Sequence, residues 1–577
     1  MTYRRLLQWS SMATAVVCSL WFNPWTLDPF NIPKLAALVV GAAVLIGLLG
    51  GNLKAWWSRR ESSLVGTVGL FVVGLTLAAL ASNQNAYRTL WGAWARNDGW
   101  FAYFALAVVL LAVAVAFRGG SARNGMYVMM GIGVCEVVYS TMQTFGHDPV
   151  PWSNGYNPIL GTVGNPNFAS ALLGMTAVAF AWAALESTHA MALRAGSAVF
   201  MVTAVWLTVR SDSIQGTLAF LGGLAVLVGG WMTLPARPEW IRRLTIPYVG
   251  VGLFATFVGV AGLAGTGPLG STLHPQNLIN RTYYWRAGWK MFREHPLFGV
   301  GLDSYGDWYR VLRLPEQVAA TGAATSSNAA HSLVFQMLAT GGLAVFGTYL
   351  VLQVLVVWRA VVAFRSGSNR LLVSALFGVW LAFLLQSLFS IDQLGLTVWG
   401  WVVSGLVVGV SYVPPATPTV KKGNRRVSAA SPDANVAALT AAALLGLGAV
   451  VLVATPLSYD SKIRDAVSYS VDNTQSAQVT AVTQAILSAA DGANDPYFKG
   501  QAISKLYQIG AVKDGVAMAE ASAKMFPNDV QIWNLLAIAY EQTGQQKLAV
   551  PARTRTVQLD PLNTDYAKLL AQDKAAK

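Results

Sequence analysis

The sequence predicts an all-α fold: a polytopic membrane helical bundle of about thirteen spans, with a soluble helical domain at the C-terminal end. Three observations predict it. Of the 577 residues, 54% are hydrophobic and only 11% charged, whereas soluble domains carry roughly 25% charged residues. Apolar runs of about 20 residues, the length that crosses a bilayer, recur until about position 455. Beyond position 456 the chain turns polar, rich in Ala and Gln and nearly balanced in charge.

In order, the expected spans are 6–22, 34–51, 64–81, 100–117, 125–145, 167–185, 195–209, 215–234, 246–265, 332–358, 371–390, 394–412 and 436–455. The first follows Arg4 and Arg5 as a signal peptide would. No small-residue cleavage site stands out, and a further apolar run follows at once, so it reads as a retained helix. The fifth is interrupted by Glu136. Basic residues in short loops set the orientation. With the N-terminus cytoplasmic, Arg4, Arg118, Arg194, Arg359 and Arg370 all fall inside. The short outer loops hold few cations: Lys34, Arg88, Arg96 and Arg210. This puts the loop 266–331 and the C-terminus outside. The formal net charge of +14 then reflects cytoplasmic anchoring and gives no reason to expect a nucleic-acid partner. Cys18 and Cys135 lie in separate apolar stretches and imply neither a disulfide framework nor a metal site.

Residues 1–412 thus form the expected membrane core. The stretch 413–435, with Pro414, Pro415, Pro418 and a Lys/Arg cluster, reads as a flexible cytoplasmic linker leading to the last span, 436–455. Residues 456–577 form the outer soluble domain. There Pro527 and Pro561 stand 34 residues apart. Trp533, Leu536, Ala537, Tyr540 and Ala549 between them match the tetratricopeptide pattern, in which small residues let two helices approach and aromatics fill the groove. The preceding repeat, about 493–526, is degenerate. Such a domain binds a protein partner more often than it catalyses, and a generic helical hairpin is the plainer alternative.

Ionisable residues inside spans mark transport paths. Here they are few: Glu136, with Glu186 and Asp392 near span ends. That weakens a coupled-transport reading. The chemistry gathers instead in outer loops. In NRTYYWRAGWKMFREHPLFGVG (280–301), Arg281, Trp285 and Trp289 are spaced i, i+4, i+8 and share a helical face, with Arg286, Lys290 and Arg293 on an adjoining basic face. A guanidinium fork suits a diphosphate; interfacial anchoring is the plainer alternative for each residue singly. His331 stands at the outer mouth of the tenth span, where a neutral imidazole can accept a proton from an attacking hydroxyl. In GNPNF (164–168), Asn165 and Asn167 make a turn and helix cap, with amides that can also touch a glycan. WGAWARNDGWF (91–101) sets Arg96 and Asp98 among aromatics, as an interfacial belt or a sugar-stacking surface. Asp303 and Asp307, spaced i, i+4, read as a solvated pair rather than a metal site.

Arg281 with Trp285, then HPLFGVG (295–301), His331 and the Gly341–Gly342 turn resemble the signature of the superfamily of O-antigen ligases, Wzy-like O-antigen polymerases and bacterial O-oligosaccharyltransferases. FNIPK (30–34), GNPNF and QSLFSID (386–392) are also similar to segments of its members. The resemblance spans most of residues 20–412. It implies a GT-C type lipid-linked glycosyltransferase at the outer face of a bacterial cytoplasmic (inner) membrane. The donor is a glycan on undecaprenyl diphosphate, and no metal or cofactor is needed. By resemblance Arg281 grips the diphosphate, with Arg286 beside it, and His331 activates the acceptor hydroxyl. Trp285, Trp289, Asn165, Asn167 and Arg96 are the candidate glycan or acceptor contacts. One departure stands out. Where the family often carries Ser-Arg-Gly, this chain reads VRSDSIQGTLAF (209–220). Ile214 sits at the aligned position; either Arg210, a turn earlier, takes the role, or Gln215 does so with uncharged contacts. Lipid A core sugar, a growing glycan and a protein hydroxyl remain open as acceptors. The tail adds a possible protein partner, and export of lipid-linked glycan or a non-enzymatic scaffold are the readings of another class.

Overall fold

The computed structural model describes residues 2–51, 53, 57, 62–152, 155, 157–270, 276–367, 369–412, 435–471 and 475–575. The linker expected at 413–435 lies outside the described residues except for Asn435. Among the described residues the chain is all-α. The first half comprises α1 (Tyr3–Leu20), α2 (Asn31–Gly51), α3 (Ser62–Leu80), α4 (Ala86–Trp91), α5 (Trp100–Ala116), α6 (Ala122–Thr144), α7 (Pro166–Leu185), α8 (Met191–Arg210), α9 (Ile214–Met232), α10 (Glu239–Arg243) and α11 (Thr245–Leu263). Three further helices follow, α12 (Gln276–Glu294) and the shorter α13 (Tyr305–Leu312) and α14 (Pro315–Thr321). Then come α15 (Leu333–Arg365), α16 (Arg370–Ser387), α17 (Leu394–Val410) and α18 (Val436–Ser468).

Each of the thirteen expected spans falls on one of these helices, and ten helices have the length and hydropathy to cross a bilayer. Helices α5 and α17 have 17 residues each and are buried on almost every side. A helix apolar all round belongs in the centre of a bundle. Glu136 does not break α6: it is fully buried and accepts hydrogen bonds from the Thr162 amide (3.2 Å) and hydroxyl (2.8 Å). Lys34 is not a loop residue. It lies in α2, fully buried, and its ammonium donates to the carbonyls of Cys18, Ser19 and Trp21 at 3.2, 2.6 and 3.0 Å. Those carbonyls close α1, where unpaired C=O groups and the negative end of the helix dipole attract a cation.

Helix α15 is broken at Gly342, whose backbone is left-handed (φ 59°, ψ −156°). The break strands backbone groups on both sides, and the HPLFGVG segment pairs with them. Val300 and Gly301 donate to the carbonyls of Ala339 and Thr340 (2.8 and 3.2 Å), while Leu343 and Ala344 donate to those of Pro296 and Leu297 (2.9 Å each). A Cβ on Gly342 would lie 2.6 Å from the Leu297 carbonyl, so the contact is open only to glycine.

The polar tail continues as α19 (Ser476–Ala490), α20 (Pro496–Gln508), α21 (Val512–Met525), α22 (Val530–Gln542), α23 (Gln546–Leu559) and α24 (Thr564–Ala575). Pro496, Val530 and Thr564 open helices at intervals of 34 residues. The stretch 493–526, faint in sequence pattern, forms the same helix pair as the one after it. Ala537, Leu536 and Tyr540 pack with Ala549 and Ile503 in the shared core. The tail docks on the same end of the bundle as the 266–331 segment. Trp94 stacks on Tyr497 (3.7 Å between centroids, 4° between planes) and donates its indole N–H to Asp460 of α18 (2.9 Å). Asp560 forms a buried ion pair with Arg313 (2.5 Å).

Candidate functional site

The 266–331 segment is no open loop; α12 to α14 fold against the mouth of α15. Arg281 and Trp285, one turn apart on α12, both turn toward the loop after α16. Arg281 Nη1 donates to the Phe389 carbonyl (2.5 Å), and Trp285 packs between Phe335 and Phe389 (centroids 5.6 and 6.0 Å). Its indole N–H points at the His331 carbonyl (3.5 Å). Behind them stands a wall of tyrosines. Tyr284 lies 5.3 Å from the His331 ring and 5.6 Å from Tyr309. The buried Tyr305 donates its hydroxyl to the Tyr284 carbonyl (2.6 Å).

His331 adopts a left-handed backbone (φ 51°), a conformation that costs a non-glycine residue about 1–2 kcal/mol. Its ring has no hydrogen-bond partner among the described residues. Burial, and then the nearby cations Arg281 and Arg96, push its pKa down to about 3. The imidazole is therefore neutral at physiological pH, with a nitrogen lone pair free for an incoming proton. Burial also lowers the Arg281 pKa. Among the described residues, only one of its N–H donors finds an acceptor.

Arg210 and Gln215 stand in different surroundings. Arg210 ends α8 exposed, and its guanidinium makes no hydrogen bond or ion pair among the described residues. Gln215 is buried at the start of α9 and donates to the same Phe389 carbonyl that Arg281 holds (3.5 Å). Its side-chain oxygen is buried without a partner. Arg210 is therefore not part of this cluster, because the capped turn at Ser213 aims Gln215 inward and leaves the end of α8 outside.

Residues 169–350 match the family model described as O-antigen ligase. The chain carries an O-antigen ligase domain. The match runs from α7 through the break in α15 and includes Gln215, Arg281, HPLFGVG and His331. Proteins of this ligase and polymerase family are membrane enzymes that process glycans. No curated protein matches the chain.

Along α12, the ligase domain has an open groove of about 900 Å³ lined by Trp285, Arg286, Trp289, Lys290, Arg293, Glu294, Leu314 and Phe335. Trp289 is 47% exposed there, so it does not share the packed environment of Arg281 and Trp285. The groove offers three cations and one carboxylate, Glu294, over an aromatic floor. Asn165 is the cap of α7, its side chain accepting from the Asn167 amide (2.9 Å). Both asparagines are half-buried, and the Asn167 carbonyl accepts from Ser170 (3.0 Å).

Two sequence expectations need correction. Arg96 does not face a sugar surface: it is 3% exposed and paired with Asp98 (2.6 Å), close to Asp303 and Asp392. Asp303 and Asp307 are not a solvated pair. Asp303 is buried and accepts from the amides of Ala93 (2.6 Å) and Asp98 (3.1 Å), bracing the 91–98 turn. Asp307 pairs with Arg88 (2.9 Å). Buried carboxylates need such donors. Two features went unseen in sequence: the Phe389 carbonyl, which as a backbone atom leaves no residue signature, and the Tyr284–Tyr309 wall, for which the doubled Tyr283–Tyr284 was the available signal.

Proposed function

We propose that the protein transfers a glycan from a polyprenyl diphosphate, of the undecaprenyl type, to an acceptor hydroxyl at the outer face of a bacterial cytoplasmic membrane. The observation that carries this reading is the partnerless, neutral His331 ring beside an Arg281 guanidinium with free donors. The acceptor oxygen attacks the anomeric carbon and gives its proton to the imidazole. The bond from that carbon to the diphosphate oxygen breaks, and the electron pair leaves with the diphosphate. Arg281 offsets the charge that builds there, and the Gln215 amide stands within the same cluster in place of a second arginine. The α12 groove, with Arg286, Lys290 and Arg293, suits the approach of an anionic headgroup. The tail, with its 34-residue helix spacing, reads as a tetratricopeptide-like domain held outside.

The test uses the purified full chain in liposomes with a labelled lipid-linked glycan and a hydroxyl acceptor. His331→Ala is expected to insert normally and to lose about 10²–10⁴-fold in transfer rate, the range of a proton-transfer catalyst. Transfer at the wild-type rate in that variant overturns the assignment. Movement of the lipid-linked glycan across the bilayer without transfer would favour an exporter instead.

A further inference from the structure

Where the tail meets the outer end of the bundle, the two parts enclose a cleft of about 290 Å³. It belongs to neither part alone. The membrane domain contributes Arg88, Trp94, Asp307 and Asn328; the tail contributes Tyr497 and Gln531. We propose that this cleft is a carbohydrate subsite that holds a sugar unit of the acceptor, so that the tail forms part of the acceptor site. The proposal rests on the glycan-transfer reading for its acceptor role, but the site itself stands on its own geometry.

Four observations support it. The volume lies at the lower end of small-molecule pockets, room for a compact ring rather than an extended peptide. The lining mixes amide, hydroxyl, carboxylate and guanidinium groups with two aromatic rings, which suits a molecule with hydroxyls at its rim and C–H groups on its faces. The strong charges are already engaged: Arg88 with Asp307 (2.9 Å) and Arg310 with Asp560 (3.5 Å). Asp495 and Asp529 are spent capping α20 and α22, accepting from the Tyr497 (2.8 Å) and Ile532 (2.9 Å) amides. This leaves a site without a dominant charge. The amides of Asn328 and Gln531, both exposed, make no hydrogen bond among the described residues, so each can give and take one from a hydroxyl.

The cleft also stands in register with the chemistry. Three Cα–Cα steps carry the chain from Asn328 to His331, at most about 11 Å when extended. The segment between is pinned by Ser327 to the Ala329 carbonyl (2.7 Å) and by the Ala330 amide to Gln336 (2.8 Å). A sugar held in the cleft thus presents the next unit of a short oligosaccharide to the imidazole.

The test is ligand-detected saturation-transfer NMR on the full chain in nanodiscs, with free hexoses, N-acetylhexosamines and heptoses as probes and a serine-containing peptide as competitor. At least one sugar class is expected to bind, with affinity reduced about tenfold or more in Asn328→Ala and in Gln531→Ala and unchanged in His331→Ala. Thermal unfolding of both cleft variants should match wild type, since neither side chain bonds to the protein. The proposal is overturned if no sugar of the panel binds, if binding ignores both substitutions, or if the peptide binds the cleft in place of sugar. The glycan-transfer reading fails separately, by transfer surviving in His331→Ala whatever the sugar panel gives.

Discussion

Arginines meet backbone carbonyls at both ends of the bundle, with different results. At the end away from the tail, Arg4 gives Nε to the Ala116 carbonyl (2.8 Å) and Nη2 to the Arg118 carbonyl (3.0 Å) and Ser121 hydroxyl (2.7 Å). Arg194 bonds the Ala184 carbonyl (3.0 Å) and Arg370 that of Thr233 (3.3 Å). These carbonyls sit at helix ends, where every helix leaves acceptors unpaired. Arg4, with three bonds, is an anchor committed to the fold. At the other end Arg281, among the described residues, makes one bond, to a loop carbonyl, beside a histidine ring that makes none there. The lesson is that neither burial nor a free donor marks a site by itself, since Arg194 and Arg370 also make one bond each; what sets Arg281 apart is the His331 ring beside it.

The comparison can be broken most directly by exchange. Arg281→Gln is expected to lose about 10²–10³-fold in kcat, the cost of removing a donor to developing charge, with an unchanged unfolding midpoint. Arg4→Gln should do the reverse, lowering the midpoint while the transfer rate holds. If both variants lose stability alone, Arg281 is an anchor too. The second effect is structural. Gly342→Ala places a Cβ 2.6 Å from the Leu297 carbonyl on a left-handed backbone, and should cost about 2–4 kcal/mol, read as a lower melting temperature and a loss of folded yield. Smaller is Gln215→Leu, which removes one neutral donor and should slow transfer roughly five- to tenfold without altering stability. The last effect is an absence of change. A lowered pKa keeps a base deprotonated further into acid. With His331 held at about 3, the proton-accepting form persists, and the rate should not fall through His331 from pH 8 to 5. An ordinary histidine, with a pKa of about 6.5, would be mostly protonated by pH 5; a matching decline in kcat would show that its ring is not sheltered.

Much of the architecture was legible in the chain because hydropathy is a property of short windows. Thirteen apolar runs fall on thirteen helices for that reason, and the polar tail announced itself by composition. Arg281, Trp285 and His331 were legible as candidates by residue type and placement, and the fold brings them together. Arg96 and Asp303 were misread because their environment comes from elsewhere: Asp303 accepts from amides at positions 93 and 98. Lys34 was misread because a cation near the end of an apolar run looks like a loop residue, and only the neighbouring helix end explains its burial. Arg210 and Gln215 were indistinguishable in sequence, being separated by a single turn whose direction the residues between them do not spell out.

The break in α15 has a consequence for how the protein is made. Residues 295–301 complete their pairing only with residues 339–344, which emerge later from the ribosome and belong to the next span. This segment therefore has no finished shape until that span has been inserted the right way round. A chain that mis-threads at this point leaves Arg281 and His331 apart, so the cluster around them forms only as a by-product of correct biogenesis.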